Sequence, residues 1–67
     1  MNDQQKRSIV LFHSVCRLKN VIRLHHRICD WCYGKPISFR MISPNHWTVT
    51  YAAGTYFHYD LRSRTWY

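Results

Sequence analysis

The segment His46 to Asp60, HWTVTYAAGTYFHYD, constrains this chain more than any other. With Ala52-Ala53-Gly54 as a three-residue loop, it reads as a β-hairpin. The loop is a type I turn closed by a left-handed residue, where glycine has no Cβ penalty. That loop sets Tyr51 against Thr55, Val49 against Phe57 and Trp47 against Tyr59. Side chains alternate with period two, so all six share one face. His46, Thr48, Thr50, Tyr56, His58 and Asp60 take the other. A loop one residue shorter would turn Tyr56 and His58 inward.

Upstream, Asn2 and Gln5 have the spacing of a capping box, and a helical pattern free of glycine and proline runs from Asp3 to Tyr33. Leu11, Val15, Leu18, Ile22, His25, Cys29 and Cys32 recur at alternating steps of four and three, one continuous stripe on a helix. Gly34 and Pro36 mark the stop. Such a helix would be about 46 Å long, against a radius of gyration of about 11 Å expected for a compact chain of this size. It must therefore bend or break, near Asn20 or His25-His26, or project and pair with a second copy through its heptad-spaced stripe. Ile9, Phe12, Leu24 and Trp31 lie off the stripe and need cover of their own.

After Pro36 the period changes to two. Ile37, Phe39 and Met41 alternate with Ser38, Arg40 and Ile42; Ser43-Pro44-Asn45 turns the chain, and Leu61-Arg62-Ser63 turns it again into a short last strand, Arg64 to Tyr67. The expected fold is α+β: one domain over residues 1–67, with a long helix (3–33) packed on a three- to four-stranded antiparallel meander (37–67). The hairpin's apolar face covers the helical stripe.

Ten Lys and Arg, seven of them Arg, oppose three Asp, for a net charge of +7. That balance points to polyanions: nucleic acid or an acidic protein surface. The apolar run Ile9-Val10-Leu11-Phe12 is too short for a signal-peptide core, and nothing has the length of a membrane span. A cytoplasmic setting with its three cysteines reduced is expected.

Three constellations carry candidate chemistry. Lys19, Arg23 and Arg27 recur at i, i+4 and i+8 away from the stripe, with His26 and Arg17 nearby, a face able to follow a phosphate backbone. On the hairpin's polar face, Tyr56 and His58, flanked by Arg40, Arg62 and Arg64, can stack bases of a single strand. There His58 stands opposite Thr48 and diagonal to His46, so general acid–base ribonucleotide cleavage is a further option. His25, Cys29 and Cys32 lie at i, i+4 and i+7 and could share a structural zinc, but the same residues continue the apolar stripe and a fourth ligand is missing. No cofactor is therefore expected. In the last third, Trp47, Gly54, Tyr56-Phe57 and Thr65-Trp66 resemble a WW domain; the second loop is shorter than that family's and its closing proline is missing, so no family is assigned.

The expectation is a small, basic, non-enzymatic protein that binds nucleic acid through the helix face. Second is a regulator or inhibitor of the kind encoded by phage and mobile elements, docking on a host protein. Third is a small metal-independent ribonuclease.

Overall fold

In the computed structural model, which describes residues 2–67, Asn2 opens the first helix with the expected reciprocal bonds. Its side-chain oxygen accepts the Gln5 N–H at 2.8 Å, and its own N–H donates to Gln5 Oε1 at 3.1 Å. Helix α1 then runs from Asp3 to Ile28. It passes through Asn20 and His25-His26 unbroken, so the length conflict is resolved by projection. The helix spans about 39 Å, and the molecule measures 43 × 21 × 15 Å with a radius of gyration of 12.8 Å. Residues 3–13 are exposed throughout.

The helix stops at Ile28, five residues short of Tyr33. Cys29 adopts an extended backbone (φ −100°, ψ 146°), and tertiary bonds outcompete a further turn. The carbonyls of Tyr33 and Lys35 accept the Ala53 and Ala52 N–H groups at 3.0 and 2.9 Å. Trp31 donates its indole N–H to the Gly34 carbonyl at 2.7 Å, and its ring stacks on His26 at 3.7 Å between centroids. Gly34, at φ +79°, supplies the turn between them.

Four strands follow: β1 (Pro36–Ser43), β2 (His46–Tyr51), β3 (Tyr56–Asp60) and β4 (Thr65–Trp66), in the order β1-β2-β3-β4, all antiparallel. The hairpin has the predicted register, with Trp47 opposite Tyr59 and Val49 opposite Phe57. Gly54 sits at φ +92° in its loop. Burial along β2 alternates strictly, with Trp47, Val49 and Tyr51 inward. α1 lies over β2 and β3, to which its side chains bond. β1 is left largely uncovered, and its residues from Ile37 to Ser43 are exposed.

The buried line of α1 differs from the predicted stripe. It comprises Ser14, Leu18, Val21 and His25; Leu11 and Cys32 are exposed and Cys29 is half-buried. Ser14 turns inward because its hydroxyl accepts the Trp47 indole N–H at 2.7 Å and donates to the Pro44 carbonyl at 2.8 Å. A polar residue thus occupies a core position without an unmet bond.

Deeper in the core, a hydrogen-bonded chain crosses from helix to sheet. His26 Nε2 meets Tyr51 Oη at 3.3 Å, Tyr51 Oη meets Tyr59 Oη at 2.5 Å, and Tyr59 Oη meets His25 Nδ1 at 2.7 Å. Three bonds require three protons, and two hydroxyls supply two, so one imidazole nitrogen must donate and the other accept. The protons run in a single direction along the chain. Trp31, Phe57 and Trp66 enclose it, with Trp66 stacked on His25 at 4.4 Å. Burial, reinforced by the neighbouring His26, holds His25 below its ordinary pKa, and burial lowers His26 as well. Burial raises both tyrosines.

Tyr59→Phe leaves His25 Nδ1 without a partner in the core and takes from the Tyr51 hydroxyl one of its two, His26 remaining as the other. Urea denaturation should show a loss of about 1–3 kcal/mol. Stability should also depend on pH in a defined direction. A histidine held below 6.5 contributes fully above that pH, and its contribution is lost as pH falls towards the lower folded-state value. Denaturation midpoints measured from neutral to mildly acidic pH should therefore decline. Midpoints that stay flat or rise would contradict a neutral, buried His25.

Candidate nucleic-acid interface

Helical spacing alone aligns Lys19, Arg23 and Arg27 along the crest of α1, away from the sheet, and all three are exposed. Arg17 is exposed too, but lies roughly 120° round the axis from Arg23, on the flank facing β4. His26 does not join the crest. It turns down against Tyr51 and Trp31 and is half-buried, which corrects the expectation that it adds to the basic face. Its ring has aromatic neighbours on the sheet side, whereas the crest offers only water.

The structure adds a residue to the crest. Arg23 and Arg27 line a cleft of about 340 Å³ together with Arg64, from the turn between β3 and β4. Asn20, Val21 and Leu24 complete the lining, which contains no acidic side chain. Arg64 reaches this position with φ +58°, a left-handed conformation that costs a non-glycine residue roughly 1–2 kcal/mol. Asp60 builds the turn. Its Oδ1 accepts the Arg62 and Ser63 N–H groups at 3.0 and 3.3 Å, bonds that pull its carboxyl below the usual range. Arg62 is exposed beside it.

The outer face of the sheet carries the expected second group. Arg40, Thr48 and His58 stand side by side on β1, β2 and β3. Backbone bonds between His58 and Tyr67 extend the row, and their rings stack at 5.0 Å and 18°. Tyr56 is 61% exposed and edge-on to His58. Tyr67, 69% exposed, was missed from the sequence; continuing the meander register past Trp66 would have found it.

The predicted diagonal pair is present, with His46 Nε2 3.2 Å from His58 Nδ1, which also lies 3.2 Å from Thr48 Oγ1. The two imidazoles thus bond to each other rather than standing apart around a space for a phosphodiester. Of the zinc candidates, His25 is bonded to Tyr59 in the core while Cys32 is exposed, and His25, Cys29 and Cys32 do not converge. Among the described residues, no three His, Cys, Asp or Glu side chains gather as metal ligands. No described helix is long and apolar enough to cross a membrane.

No family model, curated protein or solved structure matches this chain.

Arg64→Gly tests whether the left-handed turn residue serves the cleft or the fold. Glycine takes this conformation without penalty, so thermal unfolding should show unchanged stability or a gain of up to about 1 kcal/mol. A clear loss would mean that the Arg64 side chain is structural.

Proposed function

We propose that this is a small, non-enzymatic nucleic-acid-binding protein whose primary contact is the cleft between α1 and the β3–β4 turn. The carrying observation is the convergence of Arg23, Arg27 and Arg64 with no carboxylate in the lining. Grouping guanidinium groups that repel one another is unfavourable without an anion to share, and guanidinium geometry matches phosphate oxygens two at a time. Lys19 extends the track towards the helix N-terminus, and Arg17 supplies a flanking charge.

β4 separates this cleft from the outer sheet face. A strand that leaves the cleft and rounds that edge meets Tyr67, His58 and Tyr56, whose rings present faces and edges to bases. Arg40 stands beside Thr48 on that outer face, and Arg62 is exposed in the β3–β4 turn. Phosphate contact then supplies most of the affinity, and stacking favours single strands without reading a particular sequence.

Fluorescence anisotropy with labelled single- and double-stranded oligonucleotides tests this reading. Affinity should fall steeply as salt rises from about 50 to 200 mM. Arg23→Glu/Arg27→Glu should weaken binding to all sequences and flatten the log–log salt slope by about 2, and Arg64→Glu should act in the same direction. The reading fails if the protein does not bind at low salt, or if the double variant binds as the wild type does. Separately, Tyr56→Ala should lower affinity for single strands by about 1–3 kcal/mol per lost stack while leaving duplex affinity nearly unchanged.

A further inference from the structure

The uncovered strand leaves a second surface on the opposite flank of α1. Four strands spaced about 4.8 Å apart make a floor roughly 15–19 Å wide, and a helix with its side chains is about 10 Å across. One helix therefore covers about half of the sheet. The remaining half is a trough of about 670 Å³ whose lining includes Leu11, Val15 and Ile22 on the α1 wall and Phe39 on the β1 floor. Phe39 faces inward, opposite Val49, yet is 52% exposed; Met41, opposite Trp47, is 42% exposed. These inward-facing positions are left about half uncovered, and contiguous exposed apolar surface marks an interaction site.

We propose that this trough docks an acidic, amphipathic α-helix of a partner protein. The inference goes beyond nucleic-acid contact and does not depend on it. Shape and charge together select the occupant. The space alongside α1 has the width of one helix, and Leu11 to Ile22 extends about 16 Å, or three turns. Strand addition to β1 is opposed by the register shifts at Ile37 and Ile42, which break the regular edge a new strand needs. The rim is basic: Lys19 and Arg23 line the trough, and Lys6 and Arg7 line its continuation beside Met41. No acidic side chain lines either part.

That rim also weighs against a second copy of this chain. The apolar helical segment a copy would offer is its own projecting end, Ile9 to Phe12, which carries Lys6 and Arg7 just before it and belongs to a chain of net charge +7. Docking it would set like charges together, whereas a helix bearing Asp and Glu beside its apolar row would pair with them.

The test is selection of a random peptide display library, with peptides of about 16 residues to span the trough with a turn to spare, against the immobilised protein. Enriched peptides should carry apolar residues at helical spacing and a net negative charge, and should become helical by circular dichroism on binding. Phe39→Glu and Val15→Glu should each lower their affinity roughly tenfold or more, as loss of a central apolar anchor does. Lys19→Glu, at an exposed position, should weaken them through charge alone, and Arg64→Glu should leave them unaffected. Thermal melts establish that each variant is folded. The inference is overturned by a failure to enrich, by enrichment of basic or strictly alternating peptides, or by peptide binding that survives Phe39→Glu. Sedimentation equilibrium showing a dimer that Phe39→Glu dissociates would also overturn it, since the occupant would then be a second copy.

Discussion

The hydrogen-bonded chain from His26 through Tyr51 and Tyr59 to His25 is the constraint on which the rest of the structure depends. It joins the last turns of α1 to the two central strands by directional bonds, where apolar contact alone would permit the helix to slide or roll. Its proton count leaves one donor and one acceptor among the two imidazoles, so the core is specific about protonation as well as shape. Ser14 makes the matching polar contact about three turns towards the N-terminus, with Trp47 and Pro44. Together these bonds hold α1 over β2 and β3 and fix its rotation.

Every exposed feature follows from that placement. With His25 and Ser14 facing down, Lys19, Arg23 and Arg27 face up, and Arg27 and Arg23 lean over the turn that carries Arg64. With α1 over the centre of the sheet, β1 lies bare, and Leu11 together with the half-buried Val15 and Ile22 walls the space above it. A short chain can stabilise only a small core; here Leu18, Val21, Trp47, Val49, Tyr51, Tyr59 and Leu61 form it, and Trp31, Phe57 and Trp66 pack against it. What remains outside is an arginine cleft on one flank and an apolar trough with a basic rim on the other.

Local chemistry made several elements legible in advance. The capping box at Asn2 and Gln5, the loop ending in Gly54, and the hairpin register all rest on neighbours within a few residues, and all three are found as read. The helix ends earlier than its pattern suggests because Trp31 packs on His26 and Tyr51 and the Tyr33 carbonyl accepts from the hairpin loop, contacts of which hydrophobic spacing carries no record. Ser14 carries no sign of burial in the sequence, because its hydroxyl is matched only once Trp47 and Pro44 lie beside it. At the candidate interface, the crest and the outer face were readable from periodicity. Arg64's place in the cleft was not, because it depends on a left-handed backbone that no side-chain pattern announces. His26 has a helical position that suits either surface, and only the aromatic cluster turns it towards the sheet.

We propose that the arginine cleft, rather than the bare apolar strand, receives nucleic acid. Side-chain NMR of the isotopically labelled protein, titrated with a short oligonucleotide at low salt, tests it most directly. The guanidinium signals of Arg23, Arg27 and Arg64 should move together with added nucleic acid while those of Phe39 and Met41 stay in place. Guanidinium signals that do not respond, or shifts confined to Phe39 and Met41, would contradict it.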